Sequence, residues 1–230
     1  DLGGDEVKYS YPIKATIDKN AEKFSGNYLF RDEFDMANLN LRYNFLRTVK
    51  EKWYSLSGGA LSIHLRPETC GGRSNPSFIG FHQPHLKGHA ATSMRFIAAN
   101  ENEKAGLLIF QNERNHYFLC QSLKDGKQEV QLYKGDALIS SRQINVSEDG
   151  LQLKIEAKND KYAFWYADKK GNWQLLMDNV DGKYLSTKVA GGFVGCLYTM
   201  YATSSGNPST NKAVYDWFEC KNDDDVYKAK

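Results

Sequence analysis

From Tyr28 onward the chain alternates short aromatic and β-branched runs with clusters of turn residues, the signature of many strands at regular spacing. The clearest case is Leu151, Leu153, Ile155 and Ala157, which interleave with Gln152, Lys154, Glu156 and Lys158. A period of two gives such a strand one buried and one wet face, as in an antiparallel sheet. Strands are predicted at Tyr28–Asp35, Ala60–Leu65, Ser77–Phe81, Ala91–Ile97, Ala105–Gln111 and His116–Gln121. Further strands follow at Glu129–Tyr133, Leu151–Ala157, Tyr162–Tyr166, Trp173–Met177, Gly192–Tyr201 and Ala213–Cys220. Asp125-Gly126, Asp149-Gly150 and Lys170-Gly171-Asn172 supply the positive φ that tight turns need. No stripe of 3.6-residue period is sustained, and Asp181–Thr187 makes at most one helical turn. The pattern predicts an all-β sandwich of two antiparallel sheets over residues 28–222. Residues 1–27 read as a connector and residues 223–230 as a polar tail that contains Asp223-Asp224-Asp225.

Composition narrows the function classes. With 30 basic and 28 acidic side chains the net charge is +2, so no strong field for nucleic acid is expected. No window approaches the roughly 20 apolar residues of a membrane helix, so no membrane insertion is expected. Fourteen Tyr, 12 Phe and 4 Trp spread along the chain exclude a disordered polymer. Cys70, Cys120, Cys196 and Cys220 show no CxxC spacing and read as buried thiols, with a Cys196–Cys220 bridge as the alternative. Asp1–Glu6 is acidic where a secretory signal is basic and then apolar. The chain is therefore expected to begin after processing or inside a longer protein.

A catalytic constellation is not assembled. Jelly-roll glycosidases use E-x-D-x-x-E on one strand, and Glu33-Phe34-Asp35 supplies only its first half, since Asn38 replaces the second carboxylate. No G-x-S-x-G elbow, phosphate loop or dinucleotide fingerprint is present. His82, His85 and His89, with His64 nearby, read either as a transition-metal cluster or as polar loop histidines around Pro84. Asn145-Val146-Ser147 matches a glycosylation sequon.

An ordered series of motifs carries a family resemblance. Phe30-Arg31-Asp32-Glu33-Phe34-Asp35 is followed by Leu41–Arg47, Trp53–Leu56 and Gly59–Leu65. Later come Ala105–Glu113, His116–Leu119, Leu185-Ser186, Gly191-Gly192-Phe193-Val194-Gly195, Leu197-Tyr198 and Tyr215-Asp216-Trp217-Phe218. In this order they resemble the C-terminal concanavalin A-like β-sandwich (jelly roll) of family-43 glycoside hydrolases, of the β-xylosidase and α-L-arabinofuranosidase type. The resemblance spans about residues 28 to 221.

It implies a non-catalytic accessory domain that packs on a catalytic β-propeller of the same parent protein and shapes its pocket for xylan or arabinoxylan. In such proteins a loop after an early strand closes one end of the pocket. The matching stretch is Arg66–Pro76, where Arg66, Glu68 and Arg73 face either a sugar or plain solvent. A structural calcium ion between the first and last strands would fall to Glu33 and Asp216, which otherwise finish strands in solvent. The alternative function is a lectin-like module that grips an oligo- or polysaccharide by itself, through Trp53, Trp165 or their neighbours Tyr54, Tyr166 and Trp173. In Tyr162–Tyr166 either Phe164 or its flanking pair must point outward. Trp217 is expected in the core. Polymer degradation suits a periplasmic or extracellular setting better than the cytoplasm.

Overall fold

The structure is a computed structural model that describes residues 27–145, 150–192 and 194–224. The expected connector, apart from Asn27, lies outside the described residues, as do Phe193, residues 225–230 and two positions of the sequon, Val146 and Ser147. Sheet I comprises β1 (Leu29–Asp32), β3 (Tyr54–Leu56), β4 (Leu61–His64) and β6 (Lys87–Arg95). It continues with β11 (Leu151–Lys158), β12 (Lys161–Ala167), β13 (Trp173–Asp181) and β15 (Lys212–Asn222). Sheet II comprises β2 (Tyr43–Phe45), β5 (Ser77–His82), β7 (Lys104–Phe110) and β8 (His116–Lys124), with β9 (Lys127–Lys134), β10 (Ala137–Gln143) and β14 (Leu197–Thr203).

Strands run β13-β12-β11-β6-β15-β4-β3 across sheet I, with β1 paired to the far half of β15. Sheet II runs β10-β9-β8-β7-β14-β5-β2, and every pairing in both sheets is antiparallel. The expected two-sheet sandwich is thus the fold. A 3-10 turn at Gly182–Leu185 falls where one helical turn is predicted, and the short α1 (Thr187–Ala190) extends beyond that segment. Neither is long and apolar enough to cross a membrane.

The inner faces meet in one continuous core. Leu153, Ile155, Phe164, Met94 and Phe218 of sheet I face Leu107, Ile109, Leu119, Leu132 and Met200 of sheet II, all essentially inaccessible. Beside β1 and β2, Phe30 stacks on Phe81 at 4.6 Å, with Tyr43 edge-on to both and to Phe218. The Tyr215 hydroxyl crosses the core and lies 3.1 Å from both the Gly106 and Tyr201 carbonyls. All four cysteines are unbonded, three of them buried. A second, smaller cluster sits on the outer face of sheet II, where Phe78, Leu108, Phe110, Phe118, Cys120 and Tyr201 pack with Cys70.

One sequence expectation fails for a clear reason. Trp217 is only half-buried and lies on the outer face of sheet I. A bulge in β15 shifts its pairing with β6 between Tyr215 and Trp217, so Tyr215 and Phe218 both enter the core.

Candidate functional site

The Arg66–Pro76 connection between β4 and β5 lies across the outer face of sheet II and covers the second cluster. It is pinned along its length. The Ser204 amide donates to the Arg66 carbonyl at 2.9 Å, Gly206 donates to Pro67 at 2.9 Å, and the Cys70 amide donates to the Tyr201 hydroxyl at 2.9 Å. Arg66 pairs with Glu68 at 3.4 Å and donates to the Asn75 carbonyl at 2.9 Å, so both charged groups are spent on holding the loop together. Arg73 is exposed near the tip. Trp53 is 3% exposed and donates its indole N–H to the Asn75 side chain at 2.9 Å. Its ring is therefore core and shapes the loop from beneath; it offers no stacking surface.

Beside this loop is a cavity of about 160 Å³, walled by Phe118, Tyr133 and Tyr201 and edged by Lys104 and Asp136. His116 and Cys70 meet at its floor, with Nε2 and Sγ 3.7 Å apart. A cysteine–histidine pair suggests a nucleophile, but its electrostatics oppose one. Burial pushes the Cys70 thiol up to about 12, and burial also lowers the His116 imidazole below its ordinary 6.5. Both groups therefore stay neutral, and the pair is packing. A pH dependence follows. The unfolded chain binds a proton at His116 as pH falls through about 6.5, the folded chain does so only lower, and stability falls with pH across that window. His116→Phe keeps the stack on Phe110 and should flatten the melting-temperature slope between neutral and mildly acid pH. Equal slopes in both proteins would place the sensitivity elsewhere.

The metal candidates are already partnered. Glu33 bonds Arg31, while Asp216 takes Arg95 at 2.7 Å and the Ser93 hydroxyl at 3.2 Å. A calcium ion bound there would have to displace both guanidinium groups. His89 meets Glu219 at 3.1 Å and His85 meets Asp224 at 3.4 Å. Among the described residues no group of three or more His, Cys, Asp or Glu is placed to hold a metal.

Exposed apolar side chains concentrate at one end of the sandwich. Antiparallel order puts the β5–β6 turn, the β7–β8 hairpin and the β13–β14 connection at the end where the described chain enters at Asn27. Asn27 is fastened there, donating to the Asp224 carbonyl and accepting from Asn222. Leu41 is fully exposed, and it lines a groove with Tyr28, Phe81 and Pro84. Met36 (69% exposed) adjoins it. Leu86, Val189 and Val194 are each 60% exposed or more at the same end. The Gln83 amide bonds the Cys196 carbonyl, which joins the turn after β5 to the connection that carries the two valines. No sequence periodicity marks this patch, because its members lie in loops.

Trp165 points outward, as one of the flanking pair around the buried Phe164. Its indole N–H donates to Glu156 at 3.1 Å.

Comparison with known proteins agrees with this architecture. Residues 31–221 match the family described as the β-xylosidase C-terminal concanavalin A-like domain. The chain is 31% identical over 204 residues to a xylosidase/arabinosidase of Butyrivibrio fibrisolvens, covering 85% of this chain and 39% of that protein. It is 30% identical over 194 residues to a non-reducing end α-L-arabinofuranosidase of Bacteroides ovatus, covering 82% and 36%. Among solved structures, the Bacteroides ovatus xyloglucan PUL protein GH43B superposes with a TM-score of 0.78 at 28% identity, over 84% of this chain and 39% of that one. The xylan β-1,4-xylosidase of Bacillus halodurans shares the fold, with a TM-score of 0.76 at 20% identity over 84% and 39%.

Proposed function

Because the chain belongs to the β-xylosidase C-terminal concanavalin A-like domains of family-43 glycoside hydrolases, we propose that it is the accessory half of such an enzyme. In this reading it docks on a catalytic β-propeller of the same parent protein, which acts on xylan or arabinoxylan, and closes one side of its pocket. The chain spans less than two fifths of the curated relatives it matches, which leaves room in them for a catalytic domain. Glycoside hydrolysis needs two facing carboxyl groups, and of the described carboxylates Glu33 is paired with Arg31 and Asp216 with Arg95.

The observation that carries the proposal is the apolar end. Leu41, Leu86, Val189 and Val194 lie on connections at the end where the described chain enters at Asn27, with Met36 beside Leu41. Patches of this kind mark interaction surfaces, and interfaces between domains of one chain are built in the same way. The pinned Arg66–Pro76 loop, with Arg73 at its tip, is a rigid element available to a neighbouring pocket.

Leu41→Asp tests this reading. A fully exposed side chain contributes nothing to the fold of the 230-residue chain, so its melting temperature should not move. In the native gene product the same change should lower glycosidase activity severalfold and loosen the domain in limited proteolysis. An unaffected native enzyme, or a native product of only 26.1 kDa, would overturn the docking role.

A further inference from the structure

We propose that the outer face of sheet I is a glycan-binding surface, separate from the docking end, that takes an uncharged polysaccharide laid across the strands. Three of the four tryptophans, Trp165, Trp173 and Trp217, lie on this solvent-facing side, whereas the core aromatics are Phe and Tyr with Trp53 as the exception. Interior packing does not explain them, because the core lies on the opposite face.

Register fixes their arrangement. One rung of the sheet reads Trp173, Ala167, Gln152, Ser93, Trp217 through β13, β12, β11, β6 and β15. The neighbouring rung on the same face contains Trp165, Lys154 and Ala91. Trp173 and Trp217 are thus four strand spacings apart, roughly 19 Å, long enough for several pyranose rings. Between them Ala167, Ala91 and Ser93 are small and buried beneath the longer side chains around them, so the indoles, Gln152 and the paired ions form the accessible surface.

The rings are held in place before any ligand arrives. Glu156 accepts from the Trp165 indole, and the Lys154 ammonium lies 5.0 Å from the Trp165 ring and 4.4 Å from the Trp173 ring. The Arg31 guanidinium covers Trp217 at 4.1 Å. Preset side chains lose little freedom on binding, and the long stems of Lys154 and Arg31 allow them to turn toward sugar hydroxyls. The charge pattern selects the ligand class. Arg31 pairs with Glu219, Arg95 with Asp216 and Lys158 with Glu156, so the face carries little net field and suits a neutral polyol better than a polyanion. Apolar rings meet the C–H faces of pyranoses, while the paired ions and the side-chain carbonyl of Gln152, whose amide donates to the Asp168 and Lys169 carbonyls, meet their hydroxyls.

Affinity electrophoresis of the 230-residue chain through gels containing soluble arabinoxylan, and separately xyloglucan, tests the proposal. Retardation in at least one gel is expected, with affinity reduced at least tenfold by the Trp165→Ala, Trp173→Ala double variant. Gln152→Ala, an outward substitution that does not disturb the core, should weaken it severalfold and guards against misfolding of the double variant. Leu41→Asp should bind as the unmodified chain does, which separates this surface from the docking end. Absence of retardation in both gels, or retardation unchanged in the tryptophan and Gln152 variants, would overturn the proposal.

Discussion

Gly106→Ala is expected to cost at least about 3 kcal/mol, at or beyond the upper end of ordinary overpacking, and to leave little folded protein at 37 °C. A Cβ built on Gly106 would stand 2.1 Å from the Leu119 carbonyl oxygen and 2.7 Å from the Cys120 Cα, with the Leu153 methyl from the opposite sheet at 3.0 Å. Two of these three are backbone atoms of β8, so relief requires the β7–β8 ladder to spread rather than a side chain to turn. The Gly106 carbonyl is also one of the two that the Tyr215 hydroxyl reaches across the core, so spreading the ladder disturbs a contact between the sheets. Urea unfolding of Gly106→Ala beside Gly71→Ala measures this. At Gly71 the nearest atom to an added Cβ is 3.4 Å away, and the change should be within about 1 kcal/mol of neutral. Equal midpoints for the two variants would refute the close approach at β8.

Glu103→Ala should destabilise the fold by about 3 kcal/mol, through loss of a buried acceptor rather than loss of apolar area. Glu103 is 3% exposed. Its carboxylate accepts from the Ala99 amide at 2.8 Å, the Ser209 hydroxyl at 2.7 Å and the Asn211 amide group at 2.8 Å. It therefore ties the β6–β7 connection to the β14–β15 connection at the end opposite the apolar patch. Burial alone would raise its pKa, but the hydrogen bonds from Asn211, Ala99 and Ser209 outweigh burial and hold it below the ordinary 4.5. A depressed carboxyl pKa contributes stability that is fully present above about 4.5 and is lost as pH falls through the folded value. Glu103→Gln keeps an acceptor without the charge, so it should show a smaller loss of stability on acidification than the unmodified protein. Denaturant midpoints at neutral and acid pH give both quantities, and parallel acid losses would remove Glu103 from the account.

Residues differ in how plainly their sequence announced their place. The strict alternation of β11 is legible because one of its faces is dry and the other wet, and the same alternation put Trp165 outside once Phe164 was inside. β10 was missed: Ala137–Gln143 is an edge strand with almost every residue exposed, so no buried face writes a pattern into it. β2 and β3 were missed because three residues are too few to show a period. Trp217 was misplaced by the bulge at β15, which turns a regular in–out count by one residue. Glu103 and the His116–Cys70 floor gave no signal at all, since their partners come from connections far apart in sequence. The polar loop residues Arg66 and Glu68 read as candidates for a sugar, yet the structure engages them with each other and with the loop backbone. The matched family over residues 31–221 agrees with the ordered motifs that suggested it, because that series samples the whole sandwich.

The place of β15 in sheet I sets the order of events when the chain is made. This last described strand is an interior one, paired to β6 on one side and to β4 and β1 on the other. Until it leaves the ribosome, β11–β13 with β6 and β3 with β4 are two fragments with no ladder between them, and β1 has waited since the start with no edge to join. Leu29 finds its partner Lys221 only 192 positions later. Such non-local pairing makes closure slow, and the half-built sheet exposes β6 as a long unpaired edge throughout. Completion of this domain is thus a late, single event in synthesis, and an interrupted chain yields two sticky half-sheets rather than a smaller sandwich.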